Sequence, residues 1–310
     1  MRSPLVVLGD TLLDMDVRGS VNRHAPDASA APVLDVDGGR RRPGGAGLAA
    51  LLAAADGVPV RLVTAICADE EGQWLARVLG QRVELVAGPA AGGTCMKIRL
   101  LDRGRPLARL DYGRGAAAGA TAAMREALAD AGAVLVADYG RGVSTDPRLL
   151  SVLDELAEHV PVVWDPHPRG GRPVRGCAMV TPNLDEARRA LRPTEVPAGS
   201  VDGALRAAGL LTRRWSAAGA AVTVGAHGAA LALSSVGTPD TRLLPAPPAP
   251  PTADTCGAGD RFAASVATAL REGAEPVAAV TSAVGRASAF VAEGGAGAVR
   301  VTQDSRGRSA

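Results

Sequence analysis

The chain has 310 residues, 47% hydrophobic, 21% charged and only 2% aromatic. That suffices for one large α/β domain whose core must be filled by Ala, Val and Leu, and it excludes a disordered chain. Its 34 basic and 32 acidic residues leave a net charge of +2, which argues against a nucleic-acid-binding face. The locally basic GRRRPGG at 39–45 reads as a solvated loop. Cys67, Cys95, Cys177 and Cys256 form no CxxC pair, so neither a zinc site nor a disulfide framework is expected, and a reducing cytoplasm is. The N-terminal MRSPLVVLGD has too short an apolar run for a signal peptide, and no window supplies the roughly 20 apolar residues of a bilayer span. A soluble, cytoplasmic protein with no membrane partner is expected.

Along the chain, short apolar runs ending in turn or acidic residues alternate with Ala-rich helical stretches. Strands are expected at 4–10, 60–66, 133–138, 161–165, 178–183 and 220–225. Helices are expected near 44–55, 69–79, 121–130, 146–158, 184–191, 200–217, 258–272 and 276–292. This alternation predicts a mostly parallel sheet with helices on both faces. Residues about 14–42 and 94–112 break the rhythm. TCMKIRLLD and RPLARLDY flank the turn DRGR and read as a strand pair, so the two segments are expected to form a small antiparallel lid sheet. LPAPPAPP at 244–251 reads as a surface connection, because Pro cannot sit in a central strand.

Ligands of parallel α/β sheets collect at the carboxyl ends of the strands. Polar residues stand there at Asp10, Asp14, Asp138, Asp165, Asn183 with Glu186, and Gly225. Each could cap a helix, but so many together favour a shared site. The most specific stretch is DTCGAGD, Asp254 to Asp260, just before a long Ala-rich helix. Gly257, Ala258 and Gly259 allow a tight turn whose N–H groups form an anion hole at a helix tip, suited to charge on a transferring phosphoryl group. Asp260 is then placed to take a proton from an attacking hydroxyl. The only lysine is Lys97, in the context Met-Lys-Ile, so neither a P-loop nor a protein-kinase lysine is present. A G-x-G-x-x-A string at 45–50 lacks the preceding strand of a dinucleotide fingerprint. Gly44 and Gly45 instead read as a close backbone approach to a polyol.

With these residues in hand, the chain resembles the ribokinase-like, or PfkB, carbohydrate kinases over essentially its whole length. DTCGAGD matches their C-terminal signature and RPGGAG their N-terminal one; GDTLLD, TPNLDE and TVGAHG fall in the expected places. Within the family it is most similar to the heptose 7-phosphate kinases, the kinase half of a bifunctional kinase/adenylyltransferase, through NRHAPDASAAPVLDV, TCMKIRLL, RLDY, VADYGRG and WDPHPRG. The resemblance implies a three-layer α/β/α sandwich with a β-sheet lid, one kinase domain over 1–310, and ATP:sugar phosphotransfer with Mg²⁺ and a monovalent cation such as K⁺. It implies phosphorylation of the anomeric hydroxyl of a heptose 7-phosphate by a monofunctional kinase that dimerises through its lid. Asp260 is the implied base, with Gly257, Ala258 and Gly259 as the anion hole. Asp10, Asp14, Gly44, Gly45 and Asp138 are implied to hold the sugar, and Asn183 and Glu186 to act near Mg²⁺ and the ATP phosphates. Thr223, Gly225 and Gly228 would border the nucleotide. Lys97, Arg99 and Arg109 on the lid are candidates for gripping a phosphate already on the substrate.

Three positions depart from the family pattern: Leu48 and Val284 stand where asparagine is usual, and His167 where the heptose kinases carry lysine. Cys256, inside the signature at a position that tolerates several residues, reads as filler; the alternative is an oxidation site whose thiol pKa is lowered by the helix N-terminus. The alternatives are a kinase for another phosphorylated sugar in a specialised biosynthetic pathway, or a non-catalytic nucleotide- or sugar-binding protein.

Overall fold

The structure is a computed structural model that describes residues 3–27, 30–192, 196, 200–235, 239–248 and 254–299. Among these, the strands are β1 Leu5–His24, β2 Pro32–Gly45, β3 Val60–Cys67, β4 Glu84–Ala91, β5 Met96–Asp102, β6 Arg105–Tyr112, β7 Ala116–Ala117, β8 Ala133–Ala137, β9 Val162–Asp165, β10 Met179–Val180, β11 Gly219–Thr223, β12 Ala229–Leu233 and β13 Asp240–Leu244. The helices are α1 Ala46–Ala55, α2 Glu70–Gly80, α3 Ala122–Glu126, α4 Pro147–Leu156, α5 Leu184–Ala190, α6 Val201–Trp215, α7 Ala258–Arg271 and α8 Pro276–Ala292. Local chemistry sets many of the helix starts: the side chains of Asp69, Thr121, Asp146, Asn183 and Ser200 each accept a first-turn N–H, opening α2 to α6.

The main sheet runs β13-β12-β11-β10-β9-β8-β1-β3-β4-β7. It is parallel from β11 to β4, and its flanking strands β12, β13 and β7 pair antiparallel. Alternation along β1 sends Leu5 and Val7 to a core shared with α1, α2, α7 and α8, and Val6 and Leu8 to a core shared with α3 to α6. These are the two helical layers of an α/β/α sandwich. Both cores are built largely of Ala, Val and Leu, with Trp164 the largest fully buried side chain. No helix among the described residues is long and apolar enough to cross a membrane.

The lid departs from expectation in two ways. First, β1 does not end at Asp10. It leaves the main sheet after Asp10 pairs with Ala65 and continues without a turn into the lid, where Thr11 already pairs with Gly45. Second, the lid is mixed, because β1 pairs antiparallel with β2 but parallel with β5, and β6 completes it antiparallel to β5. One strand thus carries Asp10 and Asp14 across the crevice where a parallel sheet places its ligand.

GRRRPGG is also not a solvated loop. It forms the end of β2, and each arginine is engaged. Arg40 donates to the Gly297 and Val299 carbonyls, Arg41 lies 4.5 Å over the Trp74 ring, and Arg42 is 1% exposed and paired with Asp16. A strand therefore does precede the G-x-G-x-x-A string. Being an antiparallel lid strand, it still lacks the parallel βαβ setting of a dinucleotide fingerprint. Strands β4, β7, β12 and β13 were not foreseen, and β13 ends at Leu244, where the Pro-rich connection starts. Of that connection, 249–251 lie outside the described residues.

Candidate active site

The crevice between lid and sheet holds a cavity of about 150 Å³. Of the expected residues, Asp14, Gly45, Lys97, Arg99, Arg109, Gly257 and Asp260 line it; Tyr139, Arg42 and Cys256 complete it. Helix α7 begins after Gly257, whose φ of 78° is left-handed. A Cβ there would come within 2.9 Å of Leu48 Cδ2 and 3.2 Å of Ala296 Cβ, so only glycine fits. Beside Gly259 a Cβ would meet nothing within 4 Å, and its first-turn N–H has no carbonyl partner inside the helix. The Ala258 amide is different, since it donates to the Thr255 carbonyl at 3.1 Å. The anion-binding face thus rests on the glycines more than on Ala258.

Asp260 is buried in the first turn of α7. Burial pushes its carboxyl pKa up to about 7; nearby Asp14 adds to the rise, while the Tyr139 hydroxyl and Lys97 work against it. A carboxylate poised near neutrality suits proton abstraction. Tyr139, which the sequence reading did not single out, donates its hydroxyl to Asp260 Oδ1 at 2.6 Å. Its ring also sits 4.6 Å beneath Lys97 Nζ and stacks on His167 at 6.4 Å. The signal was present in VADYGRG, a strand end running into a Gly-flanked tyrosine.

Tyr139→Phe removes the donor that holds Asp260 down. It is expected to shift the acidic limb of the rate profile to higher pH and to lower kcat about 10-fold, read from a pH–rate series. An unmoved limb would mean that the bond does not tune Asp260.

Asp14 is also buried. Burial raises its pKa against the pull of Lys97, Arg42 and Arg99, and its Oδ1 has no hydrogen-bond partner among the described residues. A buried oxygen facing a cavity with no protein donor is suited to a ligand hydroxyl. Gly44 makes room for it, because a Cβ there would lie 2.7 Å from the Asp14 carboxyl.

Two expected sugar ligands are occupied otherwise. Asp10, 2% exposed, accepts the amides of Tyr139, Arg141 and Val143 at 2.9–3.1 Å. Asp138 accepts those of Gly140 and Gly171 at 2.8 and 2.7 Å. Both carboxylates shape the loop that presents Tyr139, and neither lines the cavity.

Asn183 and Glu186 bond reciprocally, each side chain accepting the other's N–H at 2.9 Å, so the N-x-x-E spacing is a capping box on α5. Asn183 bridges Thr223, which brings TPNLDE beside the Gly225–Gly228 turn, and a Cβ on Gly228 would strike the Leu244 carbonyl. Burial and neighbouring Glu186 and Asp260 push Asp165 well above the carboxylate range. Among the described residues no group of three His, Cys, Asp or Glu could hold a metal.

The departures are structural as well. Leu48 is buried beneath the Gly257 turn with Leu52, Phe290 and Ala296; Val284 lies in the α7–α8 core. His167, pushed down to about 4 by burial and by Arg169 and Lys97, is neutral at pH 7 and does not replace a lysine's charge. Burial raises the Cys256 thiol, which speaks against the oxidation-site alternative and leaves the residue as filler. A larger hollow of about 500 Å³, lined by apolar groups of α1 and α8 and by Val78, with Arg261 and Arg286 paired to Asp56, contains none of these residues.

A crevice, a glycine-turned helix tip and a buried acid together suit phosphoryl transfer to an alcohol. Residues 3–303 match the model of the pfkB family carbohydrate kinases, and the chain belongs to that family. It is 46% identical over 302 residues to the Bifunctional protein HldE of Streptomyces coelicolor, and 33% identical over 309 residues to that of Azorhizobium caulinodans. Each match covers 96% of this chain and 62% of the relative, so the chain spans about three-fifths of the length of these curated relatives. The fold is similar to that of Arabidopsis thaliana ribokinase complexed with ribose and ATP, with a TM-score of 0.73, 21% identity, and 94% and 93% of the two chains covered. It is also similar to Escherichia coli phosphofructokinase-2 in complex with substrates and products, with a TM-score of 0.69, 18% identity and 93% of each chain covered. Both likenesses bear on the fold alone.

Proposed function

We propose that the chain transfers the γ-phosphoryl group of ATP to the anomeric hydroxyl of D-glycero-D-manno-heptose 7-phosphate, giving the 1,7-bisphosphate. The observation that carries this is Asp260, a buried acid with a pKa near 7, sharing one small cavity with an unpartnered Asp14 oxygen and the cationic Lys97 and Arg109. In the reaction Asp260 takes the hydroxyl proton as the sugar oxygen attacks the γ-phosphorus. The bond to the β–γ bridging oxygen breaks and ADP leaves, while the helix-tip amides of Gly257 and Gly259 face the charge on the transferring group. Asp14 holds a sugar hydroxyl; Lys97 and Arg109 face the 7-phosphate. Arg109 also pairs with Asp111, so Lys97 is the more readily available charge.

On this proposal the nucleotide lies along Thr223, Gly225 and Gly228 with its phosphates toward Asn183 and Glu186. The capping box leaves that pair unsuited to a protein-built cage but compatible with an ion carried on the phosphates and reached through water. Mg²⁺ bound there would neutralise phosphate charge. Protein work then falls to orientation and proton transfer by the residues above.

Below pH 7 Asp260 is protonated and cannot accept the hydroxyl proton. The expected result is a kcat/KM that rises through an apparent pKa near 7, measured from pH 5 to 9. A flat profile across that range would remove Asp260 as the base.

The reading is tested by ATP consumption over heptose 7-phosphates, hexose phosphates and unphosphorylated sugars, with the product located by phosphorus NMR. Turnover confined to unphosphorylated sugars would remove the heptose assignment and the phosphate role of Lys97. A homodimer through the lid is part of the proposal, because Val36, Leu107, Leu110 and Tyr112 of β2 and β6 are exposed by 37–66%. A monomeric mass at micromolar concentration would count against it. The proposal places the reaction in the cytoplasm, where ATP is available.

A further inference from the structure

Arg99 was expected to grip a substrate phosphate, but its guanidinium is engaged elsewhere. It donates from Nε and Nη2 to Asp16 at 2.7 and 3.1 Å, and from Nη1 to both oxygens of Asp254 at 3.1 Å. Asp16, 2% exposed, is held from its other side by Arg42 at 2.8 Å. Burial alone would raise the Asp16 pKa, yet the two guanidiniums outweigh it and hold the carboxylate below its ordinary range. Asp254 in turn accepts the Cys256 amide at 3.0 Å.

An unbroken ionic chain therefore runs from β2 through β1 and β5 of the lid into the turn that opens α7. A second tether lies beside it: Arg40 donates to the Gly297 and Val299 carbonyls, and the Ala296 amide donates to the Cys256 carbonyl at 2.9 Å. The segment from Asp254 to Gly257 is thus held between the lid on one side and residues 295–297 on the other. None of these contacts requires a substrate.

We propose that Asp16 and Arg99 are positioning residues that tie the lid to the helix-tip turn, so that the amides of Gly257 and Gly259 take up their phosphoryl-binding geometry only when the lid sheet is docked. This rests on the kinase reading for its catalytic consequence but not for its structural one. Arg99 acts through Asp254, and Lys97 and Arg109 are left to face the substrate's own phosphate. Arginine is required at position 99 because one planar fork must serve two carboxylates at once; a lysine ammonium would reach one.

The test uses Arg99→Gln and Asp254→Asn, both at partly exposed positions, singly and together. Hydrogen exchange of the peptide spanning 254–262 in the unliganded protein is expected to quicken about 10-fold in either variant, with the rest of α7 unchanged. In steady-state kinetics each single variant is expected to lower kcat about 30-fold while the sugar-phosphate KM moves less than about 3-fold. The double variant should be no worse than the poorer single, as for residues acting as one unit. Unchanged exchange, multiplicative losses in the double variant, or a raised sugar-phosphate KM with kcat retained would each overturn the proposal. Wild-type protein that phosphorylates no sugar would instead remove the kinase reading, and exchange would still decide whether the tether exists.

Discussion

Asp260→Asn is expected to lower turnover about 10³-fold or more while sugar and nucleotide still bind, because it deletes the proton acceptor and leaves the glycine turn in place. The amide retains an oxygen that can accept the Tyr139 hydroxyl, so the first turn of α7 should keep its shape. The substitution should also stabilise the fold near neutral pH. The folded carboxyl titrates at about 7 against the ordinary 3.8, so between those values the native state holds a proton that the unfolded state has lost. Stability contributed by that group is present at low pH and is lost as pH rises through 7. An asparagine never ionises and escapes this loss. Isothermal titration with sugar and nucleotide, paired with initial rates and thermal unfolding at pH 5 and pH 8, measures all three expectations. Unimpaired turnover would show that another group takes the proton.

Asp10→Ala is expected to be the most damaging single change to stability, by about 3 kcal/mol or more. It would strand the amides of Tyr139, Arg141 and Val143 in a buried loop where water cannot replace the carboxylate. Denaturant unfolding should show a lower midpoint at unchanged slope. Because that loop carries Tyr139, activity should fall together with the pH-profile shift expected for Tyr139→Phe. Loss of sugar affinity without loss of stability would instead return Asp10 to the role of a direct sugar ligand.

These two aspartates show where the site was legible in the sequence. DTCGAGD is local: a left-handed glycine, a helix start and a first-turn acid lie within seven residues, so short-range chemistry specifies them. The strand–helix alternation was legible for the same reason, as were the helix starts at Asp146 and Asn183. The role of Asp10 depends on amides more than 120 residues away, and the sequence shows only that an acid ends a strand. Arg99 was recognisable as a lid cation, but Asp16 and Asp254, which occupy it, are distant in sequence. Arginines in a run are usually solvated; here the lid strand carries them into contact with Asp16, Trp74 and the Gly297 and Val299 carbonyls. For Cys256, desolvation outweighs the helix N-terminus that suggested the opposite shift. The lid's mixed pairing was hidden because β1 passes from one sheet to the other without a turn to mark the change.

The most direct measurement is a crystal structure with a non-hydrolysable ATP analogue and the sugar phosphate bound together. The terminal phosphate should lie within hydrogen-bond reach of the Gly257 and Gly259 amides, with the acceptor hydroxyl between it and Asp260 and the sugar's own phosphate toward Lys97. A terminal phosphate bound away from the tip of α7, or a hydroxyl facing some other base, would contradict the account.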